Sequence, residues 1–235
     1  MTLAYKIAGR MSPKDLTRVD TTSHFARCVH ETFAKIRPRR VIETGTYLGT
    51  GTTMVIARAI RDLRLDTALF YSIEVNPMHV QRARQNLSRA GLGVEILHGL
   101  SVPRALLPTL AQIQQTYVNN VVAEGIVVDH EEADRANLYH RETDFPGLPD
   151  DLLGKVLAEF DYKPDFVLLD SGGHIGHIEF RYTLDRLRGP CVIALDDIHH
   201  VKHFQSFRDL RADDRFDLIA ASEEKFGFCI ARFNP

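Results

Sequence analysis

The chain has 235 residues, 44% hydrophobic and 26% charged, a globular composition that excludes a disordered or fibrous protein and suits one large α/β domain. A formal charge of −2 excludes a protein that grips nucleic acid by bulk charge, and no apolar run approaches the ~20 residues of a membrane helix. Three scattered cysteines, Cys28, Cys191 and Cys229, exclude a disulfide framework and, with no signal-peptide core at the start, point to a reducing cytoplasmic compartment.

Residues 1–38 are mostly polar around an amphipathic stretch from about His24 to Ile36, and are expected to form an N-terminal helical cover on a domain spanning 39–235. Arg40 to Thr44 reads as a first strand, followed by a glycine turn and a helix from about Thr52 to Leu63. Ala68 to Glu74 reads as a second strand. Asn76 then opens a helix with Pro77 at its first position, and Gly91 closes it. Val94 to His98 is a third strand, with a helix expected from Val102 to about Thr116. After a lid-like insertion at 117–162, Phe166 to Asp170 is a fourth strand and Ile178 to Arg188 a helix. Cys191 to Leu195 is a fifth strand and Val201 to Leu210 a short helix. Phe216 to Ala221 and Gly227 to Arg232 close the chain as an antiparallel pair. Alternating apolar runs and amphipathic stretches predict a doubly wound, Rossmann-like, seven-stranded and mostly parallel sheet. It has an antiparallel C-terminal strand and helices on both faces.

Two clusters carry chemistry. The first is RRVIETGTYLGTGTT, where a strand ending in Glu43 runs into Gly45, Gly49 and Gly51 before a helix begins. A side chain at such a glycine would collide with a ligand lying over the turn, and the helix N-terminus offers free N–H groups. The spacing is E-x-G-x-x-x-G and not the G-x-G-x-x-G that seats a pyrophosphate. A second acid, Glu74, ends the next strand 31 residues after Glu43, where it would accept hydrogen bonds from both ribose hydroxyls. A nucleoside without a pyrophosphate fits, and S-adenosylmethionine (SAM) is the common one.

The second cluster is FVLLDSGGH with CVIALDDIHH, two apolar strands that end in Asp170 and in Asp196 and Asp197. Ligand crevices of doubly wound sheets lie outside the strand C-termini, so the three acids are expected to converge. Their mutual repulsion is relieved by a hard divalent cation, and all-oxygen ligation suits Mg²⁺.

These residues resemble class I SAM-dependent methyltransferases. The likeness is closer to the metal-dependent O-methyltransferases of the catechol type and to the macrocin and cephalosporin-pathway branch of small-molecule enzymes. The resemblance covers about residues 40–235 apart from the insertion. It implies that Glu43, Gly45 and Tyr47 line the methionine end of the cofactor, within a turn that runs through Gly49 and Gly51 to Thr52. Glu74 in SIEV is the ribose acid. HGLSVPRALLP places Ser101 and the Leu100 backbone at the adenine. Where the catechol group has Ser eight residues after Glu43 this chain has Gly51, and Thr50, Thr52 or Thr53 is left to replace the hydroxyl.

Asp170, Asp196 and Asp197 fall on the family's metal positions, with Asp170 counted also beside the cofactor. The catechol group's lysine, three residues after the first metal Asp, is replaced here by Gly173, and His174 follows. The macrocin-like branch commonly has a histidine near that point, so the resemblance makes His174 the expected general base, ahead of His177, His199 and His200. Tyr139 and His140 in the insertion are expected substrate contacts. The implied reaction is Mg²⁺-dependent methylation of a hydroxyl on a small molecule such as a sugar, polyketide or phenol. Neither nucleic acid nor a membrane is an expected partner, and a homo-oligomer is compatible with the pattern. Three alternatives stay open: a metal-independent methyltransferase acting on nitrogen or protein, a nicotinamide-dependent oxidoreductase, and a non-catalytic binding module.

Overall fold

The computed structural model describes residues 22–116 and 145–235, together with 126, 137 and 141–143. Helix α1 (His24–Ile36) precedes β1 (Arg40–Thr44), α2 (Thr52–Asp62), β2 (Leu69–Glu74), α3 (Pro77–Arg89) and β3 (Glu95–His98). A 3₁₀ turn (Arg104–Leu106) and α4 (Leu110–Thr116) follow. Then come α5 (Leu152–Glu159), β4 (Phe166–Leu169), α6 (Gly176–Leu184), β5 (Cys191–Asp196), α7 (Phe204–Ala212), β6 (Phe216–Ser222) and β7 (Phe228–Phe233). Each strand lies within one residue of its expected bounds.

The sheet order is β3-β2-β1-β4-β5-β7-β6, with β7 antiparallel to both of its neighbours and the other pairs parallel. Alternate strand residues feed two apolar layers. Val41, Phe166, Leu168 and Val192 pack with α1, α2 and α3 on one face. Ile42, Val167, Leu169 and Ile193 pack with α5, α6 and α7 on the other. Local chemistry sets the helix starts. Ser23 Oγ accepts from the Ala26 N–H (3.2 Å) at α1, and Asn76 Oδ1 accepts from the Met78 N–H (2.9 Å) at α3, where Pro77 has no N–H and needs no acceptor.

The helix expected from Val102 to Thr116 does not form as one piece. Pro103 and Pro108 interrupt it, and Leu107, the residue before Pro108, is extended with ψ 136°. A residue preceding proline is driven out of the helical region, which leaves a 3₁₀ turn and a separate α4. The C-terminal end of the expected insertion is part of the core: α5 buries Leu153, Val156 and Leu157 against the sheet. Tyr139 and His140 lie outside the described residues. No helix among the described residues is long and apolar enough to cross a membrane.

Candidate functional site

The switch point of the sheet lies between β1 and β4, which start crossovers to opposite sides. Register places the site. Thr44 pairs with Leu169 and Leu169 with Leu195, so the next residues, Gly45, Asp170 and Asp196, stand abreast at the strand ends. The Asp170 N–H donates to Thr44 O (3.0 Å) and extends that alignment past the strands.

At the cofactor end, Gly45 (φ 86°) and Gly49 (φ 65°) are in the left-handed region, while Gly51 (φ −100°) caps α2 without it. A Cβ at Gly45 would sit 2.4 Å from Asp170 O, and one at Gly49 would sit 3.1 Å from Ala83 Cβ. The expected collision with a ligand is therefore, at these two positions, a collision with the protein's own β4 end and α3. Tyr47, left-handed at φ 50°, donates its N–H to Glu74 Oε2 (2.7 Å), and the Asn76 N–H donates to Oε1 (2.8 Å). These two bonds fix the carboxylate at the end of β2, and each oxygen keeps a lone pair for a further donor.

Of the three threonines, Thr52 links the two halves of the site. Its hydroxyl is 2.8 Å from Glu43 Oε1 and 3.0 Å from Asp170 Oδ2. The Leu100 backbone is already engaged: its N–H donates to Pro149 O (2.9 Å), and its carbonyl accepts from the Leu152 N–H (3.0 Å). Ser101 is buried and hydrogen-bonds Glu179.

Glu43 and Glu179 are both fully buried carboxyls. Glu43 also accepts from Ser72 Oγ (2.6 Å). Glu179, on α6, ties Thr44 Oγ1 (2.8 Å) and Ser171 Oγ (2.8 Å) together beneath the crevice. Burial pushes Glu43 up to about 8 and Glu179 up to about 7, against partial compensation from their hydroxyl partners. One hydroxyl proton cannot serve two carboxylate acceptors. A protonated Glu43 donating to Thr52, which donates in turn to Asp170, satisfies both contacts.

A pH dependence follows from the same shifts. Between the usual carboxyl range near 4.5 and pH 7–8, the folded chain holds protons that the unfolded chain has released. Stability from these groups is thus complete below about pH 4.5 and is lost as pH rises through 7–8. Urea unfolding at pH 5 and at pH 8.5 is expected to show that decline, and Glu43→Gln is expected to remove roughly 4 kcal/mol of it. A variant with the wild-type slope would mean that Glu43 is ionised in the fold.

At the metal end, carboxylate oxygens of Asp170, Asp196 and Asp197 lie within 4.8 Å of one another, the three-acid cluster found among the described residues. Asp197 turns back toward the cluster through a left-handed backbone (φ 58°). Burial and the neighbouring carboxylates raise Asp196 well above its ordinary range; burial raises Asp170, with Lys202 opposing.

Lys202, between β5 and α7, was no part of the sequence expectation. Its Nζ is 2.5 Å from Asp170 Oδ1 and 2.7 Å from Asp197 Oδ2, and only 7% of the side chain is exposed. Burial alone would lower its pKa, but the three carboxylates raise it well above normal. A lysine within a histidine-rich turn five residues past Asp197 was the available signal.

His174 is half-buried on the loop that leads from Asp170 to α6. The alternatives have partners of their own. His177 faces Ser206 (3.4 Å) and Asp209 (3.7 Å) on α7, and His199 pairs with Glu223 (2.6 Å). His200 is buried, with Nδ1 accepting from the Lys202 N–H at 3.3 Å.

No family model matches the chain, and no curated protein does. Solved structures do. An O-methyltransferase from Bacillus cereus in complex with SAH (S-adenosylhomocysteine) is 17% identical with a TM-score of 0.56, covering 98% of this chain and 89% of that one. The O-methyltransferase TomG from Streptomyces achromogenes, involved in tomaymycin synthesis and bound to SAM, is 16% identical with a TM-score of 0.54 and covers 100% and 91%. A methyltransferase from Geobacter sulfurreducens is 15% identical at a TM-score of 0.54, covering 98% and 86%. The chain has the class I methyltransferase fold.

Proposed function

We propose that this protein is a SAM-dependent O-methyltransferase acting on a hydroxyl of a small molecule, with Mg²⁺ held by Asp170, Asp196 and Asp197. The observation that carries the reading is the convergence of Glu43, Asp170, Asp196 and Asp197 at the carboxyl ends of three adjacent strands, with Glu74 ending the next. The solved structures of like fold that are named O-methyltransferases support it.

Glu74, its carboxylate oriented by the Tyr47 and Asn76 amides, would take the ribose hydroxyls. The Gly45–Thr52 turn would shape the methionine end, and the Glu43–Thr52–Asp170 chain would keep it rigid. Three carboxylates form a hard, all-oxygen donor set, so the residues present fit a divalent ion. Such an ion, when bound, supplies Lewis acidity toward the acceptor hydroxyl. His174 would receive the hydroxyl proton. The donor methyl is already activated in the sulfonium, so the residues' work is mostly alignment, an effect worth ~7–11 kcal/mol.

A second reading, transfer without a metal, is favoured by one observation: Lys202 already brings a positive charge to two of the three acids.

Calorimetry and thermal melting test the cofactor. At about 100 times its dissociation constant, SAM or SAH is expected to add ~2.7 kcal/mol of stability, with no response to NAD. Glu74→Ala should remove most of the shift. A response to NAD alone would overturn the methyltransferase reading in favour of the oxidoreductase.

A further inference from the structure

Lys202 and a divalent ion compete for the same carboxylates. The ammonium has three donors: two are spent on Asp170 Oδ1 (2.5 Å) and Asp197 Oδ2 (2.7 Å), and the Asp170 carbonyl accepts at 3.4 Å. A Mg²⁺ ion bound at ~2.1 Å from these carboxylates would stand within a few Å of Nζ, where a charge of +2 faces a charge of +1. Three carboxylates would only just neutralise the two cations, and with two of the three already turned onto the ammonium an ion bound beside it would meet that positive charge at close range.

The backbone under Lys202 is fixed, and the four-carbon stem is not. The Lys202 N–H is held by His200 Nδ1 (3.3 Å), and the His203 and Phe204 N–H groups both donate to His200 O (3.0 Å each). Lys202 O is packed so closely on Gly176 that a Cβ there would be 2.6 Å away. The turn therefore aims the side chain into the acids by construction of the β5–α7 connection, while the flexible stem lets the ammonium leave.

We infer that Lys202 is the resident cation of the Asp170–Asp196–Asp197 cluster, and that a divalent ion binds there only by displacing its ammonium from Asp170 and Asp197. Lys202 is thus a positioning residue that holds the acids in register in the metal-free protein and sets how tightly metal is taken up. This inference rests on the trio being the cation site of the proposed enzyme.

Manganese binding tests it without reference to activity. With the full-length protein, Mn²⁺ titration followed by electron paramagnetic resonance should show Lys202→Met binding about tenfold or more tightly than wild type. Lys202→Arg, which keeps the charge, should bind as weakly as wild type. Equal or weaker binding by Lys202→Met, or binding by neither protein, would overturn the inference.

A measurement on the wild type guards against a variant that fails to fold. Amine labelling read by mass spectrometry should find Lys202 protected in EDTA and labelled several-fold faster at saturating Mg²⁺. Unchanged labelling would also overturn it. SAH calorimetry on the same samples reports separately on the cofactor site. Wild-type protein that takes up Mn²⁺ as described but not SAH would sink the methyltransferase reading and leave the cation exchange standing.

Discussion

Gly45→Ala is expected to lower the melting temperature by about 10 °C and to abolish SAH binding. Two costs add. The residue's φ of 86° is strained for any L side chain, worth about 1–2 kcal/mol. The new Cβ would also stand 2.4 Å from Asp170 O, 2.5 Å from Asp170 C and 2.7 Å from Ser171 N, all of them backbone atoms that cannot swing aside. Overpacking of this kind costs about 1–3 kcal/mol, and a domain of this size loses ~2–4 °C per kcal/mol.

The shift also pushes Asp170 away from Gly45 and from Thr52, so the cofactor turn and the acid cluster are disturbed together. Gly91→Ala is the control. Gly91 is left-handed too (φ 64°), but nothing lies within 4 Å of its added Cβ, so only the conformational cost of about 1 kcal/mol applies. Equal losses at the two glycines would mean that the wall at Asp170 is absent.

In EDTA, methyl transfer by the wild type is expected to fall at least ~100-fold and to return with Mg²⁺, while SAH still binds. Asp196→Ala should reproduce the loss. Asp196 stands beside the two carboxylates that Lys202 pairs with, and without it two acids remain for a divalent ion. SAH binding should survive because Glu74 and the Gly45 turn are held by β1 and β2, away from β5.

His174→Ala should differ in kind. Turnover is expected to drop about 10²-fold or more with Mn²⁺ affinity unchanged, and the deficit should shrink as pH rises and the acceptor ionises unaided. A deficit equal at every pH would remove His174 as the base. Full activity in EDTA would remove the metal requirement and leave Lys202 as the cation of the site.

The strands were legible from local pattern. Phe166–Leu169 and Cys191–Asp196 are apolar runs of strand length, buried on both faces, and no competing period disguises them. The convergence of Asp170 with Asp196 and Asp197 followed as well. Parallel neighbouring strands put their C-terminal residues side by side whatever the rest of the chain does, and the register bears this out. Asn76–Pro77 marked a helix start for an equally local reason, a side-chain acceptor followed by a residue with no N–H.

What tertiary structure alone decided are contacts between residues far apart in the chain, for which no short spacing exists. Lys202 reaches Asp170 across 32 positions. Glu179 gathers Thr44, 135 positions away, with Ser101 and Ser171. The Leu100 backbone, which resemblance places at the adenine, bonds through its N–H to Pro149 and through its carbonyl to Leu152, because α5 docks beside the end of β3. A charge buried by a turn that packs on another helix leaves no periodic trace in the sequence. Its partners are chosen by how the layers close, and that closure is where Lys202 becomes the cation of three acids.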